Sequence, residues 1–213
     1  MRINKNEAVV LLHGLGLSSL FMQKIEKSLY EEGFVVYNID YPSRRHNIET
    51  TTSYVFHQLQ KKPIGDCKQV HFIGHSLGGV LLRNITYRYC FHNLGKVIAL
   101  APPNHGSSLV DRFKMCTFIR WYLGPSFLEL GTDSEFLKQL VYVPKMYYVI
   151  AGSRSVLTCF GFLINGINDG VVTVESTVCD EMERAQHQVF PVTHFSILWN
   201  KKVMSHIIGI LKK

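Results

Sequence analysis

An α/β fold is what this sequence predicts: about six mostly parallel strands in one sheet, helices on both faces, and a small helical cap. Two patterns carry that prediction. Short β-rich runs recur along the chain and are apolar throughout instead of alternating, which is how strands buried on both faces read. Longer helix-compatible stretches separate the first four of them, which fits repeated β–α–β units. At 213 residues, 46% of them apolar, the chain is long enough to bury a full core, and its size suits one domain spanning 1–213.

Residues 8–12 (AVVLL) make the first strand. An amphipathic helix over 19–32 follows, and then a second strand over 34–39 (FVVYNI). A helix over 48–61 leads to the third strand, 69–73 (QVHFI), which runs into a helix beginning near Leu77. The fourth strand is 96–100 (KVIAL). More than forty residues separate it from the fifth, 146–151 (MYYVIA), and this interval holds "FKMCTFIRWYLGPSFLEL". Long insertions in a compact domain are often lids or binding loops, so residues of about 106–143 are read as a cap-like insertion. Phe113, Phe118, Trp121 and Leu128 are its candidate substrate-pocket side chains; a second small core under two helices is the competing reading. The interval before the sixth strand, 187–190 (HQVF), is apolar at first and turn-forming at "NDG", residues 168–170. The tail places Val203, Met204, Ile207, Ile208 and Leu211 at helical spacing with lysines at both ends. A terminal helix docked on the sheet is expected, and a peripheral membrane contact is the alternative.

Formal charge is +7 and the pI is near 9.2, yet no run of adjacent basic residues exceeds two. A generally basic surface is the reading, and a dedicated nucleic-acid partner is not. Five cysteines (Cys67, Cys90, Cys116, Cys159, Cys179) lie far apart with no CxxC pair, so neither a disulfide framework nor a zinc site is indicated. The N-terminal stretch faintly imitates a signal peptide, but His13 and two glycines interrupt its apolar core, and no apolar run approaches a membrane span. A reduced, cytoplasmic protein is the expectation.

Gly74-His75-Ser76-Leu77-Gly78 satisfies G-x-S-x-G and stands between a strand and a helix, where the motif has physical meaning. Such a turn holds the serine in a strained conformation and lifts its hydroxyl above the sheet edge at a helix N-terminus. A glycine-rich packing turn with an incidental serine is the alternative. A serine hydroxyl is a poor nucleophile until a base takes its proton. Of the ten histidines, His71 lies inside a strand, His75 fills a free position of the motif, and His13 belongs to the first strand's exit loop. His194 in "FPVTHFS" directly follows the last strand and would emerge at the same sheet edge as Ser76. His105 in "APPNHGSS" competes with it. Asp169 in "NDGVV" is the preferred acid to orient the imidazole, with Glu175 and Asp180 as fallbacks. Backbone N–H groups of Leu77, after the serine, and Leu15, in the loop after the first strand, are the candidate oxyanion donors.

The stretches "VVLLHGLG", "VHFIGHSLGG", "APPNHGSSL", "VIAGSRS", "NDGVVTVEST" and "PVTHF", spread from Val9 to about Asn200, resemble the α/β-hydrolase superfamily, and within it the small bacterial lipase and esterase group. The resemblance implies that the six strands correspond to the third through eighth of the eight-stranded sheet. It also implies Ser76 as nucleophile, Asp169 as acid, His194 as base, Leu15 and Leu77 as oxyanion donors, and a cap after "PPNHGS". The expected chemistry is hydrolysis of carboxylic esters, small-molecule or lipid, with no metal or organic cofactor. A thioesterase or acyltransferase on the same residues is one rival. A hydrolase-like fold retained as a binding protein is the other.

Overall fold

The computed structural model describes residues 7–155, 163–179 and 186–213. Cys159 and the fallback acid Asp180 lie outside them. The chain runs β1 (Glu7–Leu12), a 3-10 turn (Ser19–Met22), α1 (Gln23–Glu31), β2 (Val35–Ile39), α2 (Ile48–Gln60), β3 (Gln69–His75), α3 (Leu77–Arg88) and β4 (Leu94–Leu100). Then come α4 (Ser108–Phe113), α5 (Thr117–Leu123), α6 (Pro125–Leu128), α7 (Glu135–Gln139), β5 (Tyr147–Gly152), α8 (Val174–Thr177), β6 (His187–Phe190) and α9 (Lys201–Leu211).

Six strands form one sheet in the order β2-β1-β3-β4-β5-β6, and every pairing is parallel. Alternate residues of β1 show why the strand is apolar throughout. Ala8, Val10 and Leu12 join Val55 of α2 and Leu81 of α3 on one face. Val9 and Leu11 join Ile25 and Leu29 of α1 and Ile207 of α9 on the other. All of these side chains are fully buried. Burial of each of these Val, Leu or Ile side chains stabilises the fold by about 1.5–3 kcal/mol, so both faces of the sheet hold helices in place.

Boundaries differ from the sequence reading where polar or glycine residues continue a ladder. β3 extends through Gly74 and His75, which pair with Ala99 and Leu100, and β4 begins at Leu94. The helix expected over 19–32 opens as a 3-10 turn before α1. α9 docks on the sheet through Val203, Met204, Ile207 and Leu211, with Ile210 buried in place of Ile208. Among the described residues, no helix is long and apolar enough to cross a membrane. Cys67, Cys90 and Cys116 are free thiols.

Strand order reverses direction between β1 and β3, since β2 lies outside β1 while β4, β5 and β6 extend the other way. At such a switch point the loops leaving the carboxyl ends diverge and open a crevice. The loop after β1 carries Leu15, and the turn after β3 carries Ser76.

Candidate active site

Ser76 sits at the N-cap of α3 with φ 53° and ψ −120°, a left-handed conformation that side chains rarely adopt. Holding it there costs on the order of 1–3 kcal/mol, supplied by a close-packed surround. A Cβ at Gly74 would run into the backbone of Gly78. One at Gly78 would come 2.5 Å from the Leu12 carbonyl oxygen, and one at Gly79 3.0 Å from both Ala99 and Pro102. Glycine at these positions lets α3 leave the sheet at once, and Ser76 N–H donates to the Leu100 carbonyl at 2.8 Å. Ser76 is 8% exposed.

The loop after β1 lies directly against this turn, because a Cβ at Gly14 would stand 3.3 Å from that of Ser76. Its Leu15 N–H makes no hydrogen bond among the described residues, and the Leu77 N–H belongs to the first turn of α3, whose donors have no helical partner. Among the described residues, neither expected donor has a hydrogen-bond partner outside the helix. Gly16 N–H donates to Ser43 Oγ at 3.0 Å, and buried His13 stacks on Tyr41 with ring centroids 4.0 Å apart, so the loop is braced from behind.

Asp169 and His194 meet beyond the ends of β5 and β6. His194 Nδ1–H donates to Asp169 Oδ2 at 2.8 Å, and the His194 backbone N–H donates to the Asp169 carbonyl at 2.9 Å. The other carboxylate oxygen accepts from the backbone N–H groups of Val171 (2.9 Å) and Val172 (2.8 Å). Asp169 is 1% and His194 4% exposed, so the pair interacts with little solvent screening. With Nδ1 committed as donor, Nε2 is the basic nitrogen. Gly152, closing β5, permits the approach: a Cβ there would stand 2.6 Å from the Val192 carbonyl oxygen and 2.8 Å from Asp169 Cβ.

Two residues beyond the expected set belong to this arrangement. Gly152 is one. His75 is the other: its Nε2–H donates to the His194 carbonyl at 2.9 Å, and its Nδ1 is left without a partner. Burial, and secondarily the neighbouring His194, holds its pKa well below the usual histidine range. The imidazole next to Ser76 in the chain is thus tied to the backbone that carries His194. Its place in the motif gave no hint of this, since the partner lies 119 residues away.

Ser76 and His194 both line a cavity of about 230 Å³. Its remaining wall is mostly apolar and includes Leu15, Leu109, Leu123, Phe127, Leu130 and Val172. The expected pocket residues Phe113, Phe118, Trp121 and Leu128 are not among its walls, which corrects the sequence reading for this cavity, while Trp121 lines a separate, larger concavity. Phe113 packs on the core, Phe118 (68%) and Trp121 (77%) are exposed, and Leu128 is 37% exposed. Helical register is the reason: α5 turns Leu123 toward the cavity and its aromatic residues outward, and α6 does the same with Phe127 ahead of Leu128. Of the competitors, His105 is exposed and lines a different cavity, and Glu175 is in α8, outside the Ser76 cavity.

An all-parallel sheet whose third strand turns through a strained serine, with an Asp–His pair at the same edge, is the architecture of α/β hydrolases. The sequence profile described as the alpha/beta hydrolase family matches residues 9–181, and the chain belongs to that family. Among curated proteins none matches. Similar solved structures include the mature lipase BlEst2 of Bacillus licheniformis, at 21% identity and TM-score 0.73 over 96% of this chain and 91% of that one. The metagenomic carboxyl esterase MGS0156 is similar at 15% identity and TM-score 0.71, over 90% of this chain and 65% of that one. Aspergillus fumigatus lipase B gives 15% identity and TM-score 0.72 over 98% of this chain and 53% of that one, so this chain spans about half of its length. At such identities the likeness is one of fold.

Proposed function

We propose that this chain is a serine hydrolase of carboxylic esters, with Ser76 as nucleophile, His194 as general base and Asp169 as the acid that orients it. The observation that carries the reading is the junction of three sheet-edge loops: a serine at φ 53°, and a buried imidazole bonded to a buried carboxylate at 2.8 Å, with serine and imidazole lining one cavity. Ser76 Oγ attacks the ester carbonyl while its proton passes to His194 Nε2. The tetrahedral oxyanion is met by the N–H groups of Leu15 and Leu77. Collapse breaks the ester C–O bond, and the proton moves from His194 to the leaving alcohol. Water then attacks the acyl-Ser76 ester with His194 again as base, releasing the acid.

The apolar cavity suits the acyl group. At about 230 Å³ it falls below the roughly 300–1,000 Å³ of pockets for drug-sized ligands, which favours short acyl chains. The insertion of about 106–143 supplies Leu109, Leu123, Phe127 and Leu130 to this wall and in this reading is the cap. The test is labelling with a fluorophosphonate probe, read by intact mass and peptide mapping. Modification of Ser76 alone, abolished in Ser76→Ala and in His194→Ala, is the expected result. An unlabelled wild-type protein, or turnover of a butanoate ester by Ser76→Ala, overturns the assignment.

A further inference from the structure

A second and larger concavity, about 1030 Å³, adjoins the catalytic cavity and shares Leu17 with it. Its chemistry is different. Arg44, Arg45 and His46 line it together with the aromatic faces of Tyr54, Trp121 and Tyr122. One carboxylate, Asp40, is also on the wall, and it is already occupied: its Oδ1 accepts the Ser19 backbone N–H at 2.8 Å and lies 3.4 Å from His13 Nε2. Two arginines and one acid thus line the cleft, and neither arginine has an ion pair among the described residues.

The backbone of the loop bearing these arginines is held in place, and Arg44 is held with it. The Arg44 guanidinium lies 4.7 Å from the Tyr122 ring centroid and donates to the Tyr122 carbonyl at 3.5 Å. Its stem passes 4.0 Å from where a Cβ on Gly16 would be, next to the oxyanion donor Leu15. The loop bearing it is clamped on both sides: Ser43 Oγ accepts the Gly16 N–H, and Ser126 Oγ donates to the His46 carbonyl at 2.7 Å. The Glu129 carboxylate accepts the Ile48 N–H at 2.6 Å, and only a glycine at 124 clears the Arg44 carbonyl.

An ester bound at Ser76 must direct its two halves apart, since the acyl chain and the alcohol extend from the carbonyl carbon in different directions. The apolar cavity takes one half. The cationic, aromatic cleft is unsuited to a hydrocarbon chain and suited to a planar-fork contact with an oxyanion. We propose that this cleft is the leaving-group subsite and that it selects esters whose alcohol carries a phosphate group. The reaction breaks the carboxylic ester C–O bond and leaves the phosphate ester intact, so water is the only co-reactant. The inference rests on the ester-hydrolase reading above, and its test separates the two.

Binding is read without turnover, because Trp121 lies in the cleft. Ser76→Ala protein is titrated with glycerol 3-phosphate, with glycerol and with inorganic phosphate while tryptophan fluorescence is followed. The expected result is a saturable change with glycerol 3-phosphate that glycerol does not give. Arg44→Gln/Arg45→Gln should weaken it about tenfold or more, the loss of a charge-assisted contact. Inorganic phosphate giving the same curve assigns the subsite to the phosphate alone; a weaker response assigns it to the whole phospho-alcohol, and either supports the proposal. In the active protein, kcat/KM for 1-butanoylglycerol 3-phosphate should exceed that for 1-butanoylglycerol about tenfold. The double variant should lose that preference, its kcat/KM values for the two esters then falling within about twofold of one another. Equal responses to glycerol and glycerol 3-phosphate, or a fluorescence change untouched by the double variant, overturn the subsite. If both esters stay uncleaved while the phosphate-dependent fluorescence change persists, the hydrolase reading fails and the anion site stands.

Discussion

Adding one methyl group at Gly152 tests the arrangement of the site more sharply than deleting any of its functional groups. In Gly152→Ala the new Cβ would stand 2.6 Å from the Val192 carbonyl oxygen and 2.8 Å from Asp169 Cβ. Ordinary contact begins near 3.4 Å, so the loops bearing Asp169 and His194 must separate from β5 by roughly 0.8 Å. Neither obstacle is the end of a flexible side chain. One is backbone and the other is the root of the acid itself. If the movement falls on Asp169, its 2.8 Å bond to His194 stretches past hydrogen-bonding length. Displacements of this size cost about a hundredfold in rate, and overpacking costs about 1–3 kcal/mol of stability. Measurement of kcat/KM on a butanoate ester, beside urea unfolding of the same preparation, separates the two effects. A folded Gly152→Ala protein within twofold of wild-type activity would refute the claim that this glycine sets the approach of acid to base.

Asp169→Asn should keep the acceptor for Val171 and Val172 but lose the anion that holds the Nδ1–H tautomer of His194. A fall in kcat of about 10³–10⁴ with little change in KM is expected, and a drop under tenfold would remove Asp169 from its role. Turnover of 4-nitrophenyl esters should decline beyond short acyl chains, and Leu130→Ala should move the optimum to longer ones by deepening the cavity; an unchanged chain-length profile places the acyl group elsewhere. Stability should fall on acidification. His75 is held well below its unfolded pKa near 6.5, so unfolding takes up a proton as pH drops through that value, and the stabilisation present above it is lost at about 1.4 kcal/mol per pH unit. His75→Gln, whose amide can still donate to the His194 carbonyl, should show a shallower loss in urea midpoint between pH 7.5 and 5.5, whereas parallel curves would contradict it.

Much of this architecture was legible because burial leaves a compositional mark. β1 alternates its side chains between two separate cores, so "AVVLL" carries no polar residue, and the same holds for most of β3 and β5. Ser76, Asp169 and His194 come to one sheet edge because each lies beyond the carboxyl end of a strand. A parallel sheet delivers every strand's carboxyl end to the same edge, so position after a strand is position near the crevice. Strand limits were less legible, since Gly74 and His75 extend β3 through backbone pairing that side-chain apolarity does not record.

What sequence could not supply was direction. In α5, Phe118 and Trp121 are as apolar as Leu123, and only the placement of the helix decides that Leu123 meets the cavity while the aromatic residues turn outward. Composition therefore pointed to the right segment but not to which of its side chains meets the cavity beside Ser76. The same limit hid His75 and Gly152, whose significance lies in contacts with loops far along the chain. It also hid the cleft: Arg44 and Arg45 read as two more scattered cations in a basic protein. They acquire a specific meaning only when Ser43, Gly124 and Ser126 pin their loop beside residues 14–16, in a cleft that Trp121 also lines. A diffuse positive charge and an anion subsite can have the same composition. What distinguishes them is whether the backbone carrying the charge is fixed relative to the reacting carbonyl, and here hydrogen bonds on both sides of the loop fix it.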